Sequence, residues 1–73
     1  MDIHQKTGLA IVQLRKAQGL SQYNLALKAN ITFRYLSDIE NGKSNLSLNI
    51  LEKIANALGV KVSKILEIVE NME

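Results

Sequence analysis

Apolar positions recur with helical spacing along almost the whole chain. From about Gln5 to Gln18, the residues Leu9, Ala10, Ile11, Leu14 and Ala17 form one stripe, and Gly19 stands where such a helix ends. Ser21 reads as the N-cap of a short helix through Ala29, with Leu25, Ala26 and Ala29 on its inner face. Asn30 follows, one of the few residues besides glycine that tolerates the left-handed region. Thr32 caps a third helix whose apolar side is Leu36 and Ile39, and Asn41-Gly42 stops it. Ser47 caps a fourth, lined by Leu48, Leu51, Ile54, Ala55 and Leu58 and closed by Gly59. Lys61 to about Asn71 makes a fifth that carries Val62, Ile65, Leu66 and Val69, with Met72 at its end. Five short helices joined by short turns predict an all-α, compact five-helix bundle.

The second and third helices, over 22–29 and 32–40, are each about two turns long and separated by only a few residues around Asn30. So short a turn forces a sharp angle, and the small Ala26 lets the next helix come close. That is the sequence form of a helix-turn-helix, spanning about 21–41. A plain pair of short core helices is the alternative that the pattern alone leaves open.

Composition narrows the classes. With 73 residues, 47% of them hydrophobic, and neither cysteine nor proline, the chain is expected to be a single domain over 1–73 with no disulfide framework and no thiolate metal site. Charges interrupt every apolar run well before the roughly 20 residues that a membrane span needs. Asp2 and the residues after it do not resemble a secretory signal. The expectation is a soluble protein of the cytoplasm, associated with the nucleoid if it binds DNA. A core of this size supplies only about 3–5 kcal/mol, so self-association would steady it. Net charge is +2, but it is uneven. Lys6, Arg15, Lys16, Lys28, Arg34 and Lys43 outnumber Asp2, Asp38 and Glu40 in residues 1–46, whereas Glu52, Glu67, Glu70 and Glu73 outnumber Lys53, Lys61 and Lys64 beyond them. One half can face a polyanion while the other faces away. Catalytic chemistry has no support. His4 is the one histidine, and no phosphate loop or nucleophile–base pair can be drawn. Neither an enzyme, a cofactor nor a metal is expected.

The run Leu20-Ser21-Gln22, then Leu25-Ala26, then Tyr35-Leu36-Ser37-Asp38-Ile39-Glu40-Asn41-Gly42-Lys43, then Leu51-Glu52-Lys53-Ile54-Ala55-Asn56-Ala57-Leu58-Gly59-Val60 resembles the Cro and phage-repressor (XRE) family of helix-turn-helix proteins. The resemblance covers about Leu9 to Leu66. The run from Tyr35 to Glu40 and the segment Asn45 to Leu48 also resemble the controller proteins of restriction–modification systems. Phe33 and Ser44 depart from that narrower pattern, standing where controllers often carry arginine, and Asn30 replaces the usual turn glycine.

The resemblance implies that the third helix enters the major groove of double-stranded DNA. With Leu36 and Ile39 inward, helical spacing turns Phe33, Arg34, Ser37, Asp38 and Asn41 outward. Arg34 can bind guanine as a bidentate pair, or it can be a surface residue paired with Asp38. Asp38 can orient Arg34 or accept from cytosine N4. Phe33 can meet a thymine methyl or fold back on Leu27. Base contacts are therefore expected from Phe33, Arg34, Ser37 and Asp38. Phosphate contacts are expected from Gln22, Thr32, Tyr35, Asn41, Lys43, Ser44 and Asn45, with a solvated Gln22 as its alternative. For Arg15 and Glu40 the resemblance implies a partly buried ion pair between the first and third helices.

The expected function is a transcriptional regulator acting as a homodimer on a near-palindromic operator, in control of a restriction–modification operon. No small-molecule effector is expected. An antitoxin with a toxin partner, or a protein-interaction module reusing the fold, are the alternatives. The dimer interface is expected over about 61–71, with Ile65 and Leu66 closing the core while Val69, the edge of Leu66, Leu46 and Ile50 form a self-complementary patch. The competing reading turns the whole apolar stripe of this helix inward.

Overall fold

Helix starts are set by the residues that the sequence places there. The computed structural model describes residues 1–72, and Glu73, counted above among the acidic residues of the second half, lies outside them. The elements are α1 (Ile3–Ala17), α2 (Gln22–Ala29), α3 (Phe33–Glu40), α4 (Leu48–Leu58) and α5 (Val62–Glu70). The Ser21 hydroxyl accepts from the Asn24 N–H, Thr32 from Tyr35 and Ser47 from Ile50, at 3.0, 3.0 and 3.1 Å. Each such cap contributes about 1 kcal/mol. At α1 the Asp2 carboxylate accepts from the Gln5 N–H at 2.9 Å and the Gln5 side chain accepts from the Asp2 N–H at 3.0 Å. This reciprocal box starts α1 at Ile3, ahead of the expected Gln5. Lys61 precedes α5 without a side-chain cap.

Every helix gives the core one fully buried large side chain: Ile11, Leu25, Leu36, Ile54 and Ile65. α1 packs on α3 and α5, α2 on α3 and α4, and α4 on α5. No helix among the described residues is long and apolar enough to cross a membrane.

Three features of the expected core are corrected. Leu9 is exposed because the buried side of α1 runs through Thr7, Gly8, Ala10 and Ile11, and Ala17 is exposed as the last residue of the helix, beyond that buried stretch. Two residues at about 100° each put Leu9 on the far side of the helix from Ile11. Leu48 is 78% exposed, since it lies in the first turn of α4 and burial begins at Leu51. The largest correction concerns α5. Val69 and Ile65 are buried within this one chain, at 3% and 0% exposure, where α5 packs against α1 and α4. Ile65 therefore lies in the core, where it was expected, whereas Val69 is withdrawn from the expected patch between two copies. Leu46 and Ile50 are half-buried against the same core, and Leu66 is the large apolar side chain that α5 leaves outside.

Gly8 sets how closely α1 meets α3. A Cβ there would lie 2.5 Å from the Ile39 carbonyl oxygen and 2.6 Å from that of Glu40. Only a residue without a side chain lets the end of α3 rest on α1. Farther along, the Gln18 side chain donates to the Leu58 carbonyl at 2.6 Å, tying the end of α1 to the end of α4.

Candidate nucleic-acid interface

The α2–α3 corner is made by backbone geometry. Asn30 takes φ 56° and ψ 45°, the left-handed conformation that ends α2. The Ile31 N–H then donates to the Ala26 carbonyl at 3.0 Å, and Thr32 opens α3 two residues after Asn30. Ala26 and Ala29 are each 3% exposed, so α3 approaches α2 across methyl groups.

The inner side of α3 is then fixed by Leu36, Ile39 and Glu40, all buried. Arg15 Nε donates to Glu40 Oε2 at 2.8 Å and Arg15 Nη2 to Glu40 Oε1 at 3.1 Å, a bidentate pair joining α1 to α3. Arg15 Nη1 donates to the Leu20 carbonyl at 3.0 Å. The two side chains are only 11% and 4% exposed. Gln22 enters the same network, its Nε2 donating to Glu40 Oε1 at 2.7 Å. The amide of Gln22 is therefore not loosely solvated. One of its two amide N–H bonds is held, which leaves the second for a ligand at the N-terminus of α2.

The outer side of α3 is different. Phe33 is 50% exposed, Arg34 is exposed, and Ser37 and Asp38 are half-buried. These four side chains line one shallow concavity of about 250 Å³. None of them makes a side-chain hydrogen bond or ion pair among the described residues, so the Arg34–Asp38 pair, the alternative reading of Arg34, is not formed. Phe33 and Leu27 are both exposed, at 50% and 62%, so neither is part of the core.

The candidate phosphate residues flank this face. Beyond α3 the chain turns back at Gly42, with φ 72°, and the Lys43 N–H donates to the Asp38 carbonyl at 2.9 Å. That return places Asn41, Lys43 and Asn45 exposed, and Ser44 half-buried, just past the helix. On the other flank Thr32 and Tyr35 line a groove of about 540 Å³ with Asn30, Ile31, Ile50 and Lys53. Tyr35 also packs on the core. Lys53 was not among the sequence candidates, and the structure brings this exposed lysine beside the start of α3. Its one sequence signal is the helical spacing from Ile50. The same groove places Ile50 on the α3 side of α4. The described residues hold no His, Cys, Asp and Glu cluster fit for a metal.

The sequence profile of the helix-turn-helix family matches residues 11–65, which contain α2, α3 and α4 whole. The immunity repressor protein of Bacillus phage phi105 is 48% identical over 58 residues, covering 80% of this chain and 40% of the repressor. The control protein C.MunI of a Mycoplasma species is 40% identical over 70 residues, covering 94% of this chain and 95% of that protein. Among solved structures, the restriction–modification controller protein C.AhdI of Aeromonas hydrophila superposes with a TM-score of 0.82 at 34% identity, covering 84% of this chain and 92% of that one. The chain thus spans less than half of the phage repressor and nearly the full length of the two control proteins.

Proposed function

The chain belongs to the helix-turn-helix family, whose members are not enzymes, and from that premise we propose that it is a sequence-specific double-stranded DNA-binding transcriptional regulator. The observation that carries the reading is the two-sidedness of α3. Its inner side is locked by Leu36, Ile39 and the Arg15–Glu40 pair, while Phe33, Arg34, Ser37 and Asp38 stand outside with no side-chain partner among the described residues. A helix held rigidly on one side and unsatisfied on the other is suited to base edges in the major groove.

In this reading Arg34 binds guanine O6 and N7 through two parallel N–H donors, and Phe33, Ser37 and Asp38 contact neighbouring bases. Gln22, Thr32, Tyr35, Asn41, Lys43, Ser44 and Asn45 hold the phosphates on either flank, and Lys53 joins them. The Glu40 carboxylate fixes Gln22 beforehand, so less side-chain freedom is lost when a phosphate is met.

The working form is a homodimer on a near-palindromic operator, with recognition helices about 34 Å apart and half-sites about 10–11 base pairs apart. Leu66, 39% exposed on α5, supports an interface there in place of the buried Val69. Near end-to-end similarity to C.MunI and to the restriction–modification controller C.AhdI supports control of a restriction–modification operon from the cytoplasm, at the nucleoid.

The test is selection of bound sequences from a random duplex pool, followed by salt titration and sedimentation of the complex. Recovery of a near-palindrome, a steep loss of affinity with salt and two chains per site are expected. Absence of salt-dependent duplex binding would leave a protein-interaction module. A second small protein copurifying with the chain would make it an antitoxin.

A further inference from the structure

The concavity on α3 brings unlike walls together. Phe33 supplies an exposed aromatic ring and Asp38 a carboxylate without a side-chain partner among the described residues, both lining the same space of about 250 Å³. A half-exposed phenylalanine on a polar helix face gains from covering an apolar group, and the carboxylate gains from a hydrogen-bond donor. On a pyrimidine in the major groove, the C5 substituent and the exocyclic group at C4 are neighbours on one ring edge. Thymine offers a C5 methyl, but its O4 is an acceptor that a carboxylate repels. Cytosine offers the N4–H₂ donor but no methyl. Uracil offers neither. 5-Methylcytosine offers the methyl and the donor side by side.

We propose that Phe33 and Asp38 make this helix face a reader of C5-methylated pyrimidines, with 5-methylcytosine as the base that satisfies both walls. The inference rests on the DNA-binding reading above and adds the chemical class of base that it recognises. Phe33 carries the methyl preference and Asp38 the choice of N4–H₂ over O4. Arg34, on the same concavity, binds a guanine beside that pyrimidine.

The experiment starts from a duplex selected from an unmodified random pool. Each pyrimidine of one half-site is then made in turn as thymine, uracil, cytosine and 5-methylcytosine, opposite its proper partner. At one position, the protein is expected to bind thymine about fourfold better than uracil and 5-methylcytosine about fourfold better than cytosine, the effect of covering one methyl group. Phe33→Ala should bring both ratios to about one. Asp38→Ala should keep both methyl ratios and lower the preference for 5-methylcytosine over thymine. The ratios in the unaltered protein depend on no variant being folded. Methyl ratios of one at every position, or ratios that survive Phe33→Ala, would overturn the proposal. If no duplex is selected at all, the DNA-binding reading itself fails and takes this inference with it. A selected site that ignores methyl groups sinks the inference alone.

Discussion

On its inner side α3 gives Leu36, Ile39 and Glu40 to the interior, and Glu40 is gripped by two N–H groups of Arg15 and one of Gln22. On its outer side the same eight-residue helix presents Phe33, Arg34, Ser37 and Asp38, and no other described side chain bonds to them. The inner side carries stability, because each polar group there has left water and depends on its partner. The outer side carries little of it, because its groups remain hydrated until something replaces the water. Substitutions should therefore separate into two classes. Inner ones unfold the protein, and outer ones change what it binds.

The largest expected effect is Glu40→Ala. It leaves the Arg15 side chain, 11% exposed, without its carboxylate partner and frees Gln22 as well. A loss of about 3–5 kcal/mol is expected in urea unfolding, a large share of what so small a core supplies. A loss under about 1 kcal/mol, the range of exposed pairs, would mean that the pair does not anchor α3.

Gly8→Ala comes next. Alanine favours a helix over glycine by about 1 kcal/mol, yet its methyl would meet two carbonyl oxygens of α3 at 2.5 and 2.6 Å. Backbone atoms cannot rotate away, so the clash wins, and a net destabilisation of about 1–3 kcal/mol is expected. A stabilised variant would show that α1 and α3 have room to separate.

Arg34→Ala sharpens the contrast from the other side. Its melting temperature should match the unaltered protein, since Arg34 has no partner among the described residues to lose. Binding to the selected duplex should weaken by about 1–3 kcal/mol, with preference relaxed at one position per half-site. An equal loss on random duplex would reduce Arg34 to a phosphate contact.

The smallest effect belongs to Lys43→Ala. Lys43 is exposed in the return beyond α3, so its removal should weaken binding to all sequences alike and lower the salt slope by about one per protomer. An unchanged slope in a salt titration removes Lys43 from the interface.

What the sequence by itself determined is local. Ser21, Thr32 and Ser47 are capping residues whose short side chains reach the backbone three positions on, and all three do so. Asn30 and Gly42 mark left-handed turns because few residues accept that conformation, and both adopt it. These features depend on neighbours a few residues away, so the helices, the short turn between α2 and α3 and the outward set on α3 could be read directly. The family resemblance was needed to prefer a helix-turn-helix over a plain pair of short helices. Helical spacing also fixes angles between side chains, but it does not say which angle another helix will cover. Leu9, Leu48 and Leu66 belong to apolar stripes and are exposed, whereas Val69 turns inward because α5 crosses α1 and α4 on that side. Nothing in the sequence around Gly8 shows that α3 rests on it. Gln22 acquires its grip on Glu40, eighteen residues away, only when α2 and α3 are folded against each other. Lys53 reaches the groove beside Thr32 and Tyr35 only through the packing of α4 under α2. Burial and long-range hydrogen bonds are properties of surfaces brought together, and the tertiary structure alone decides which surfaces meet.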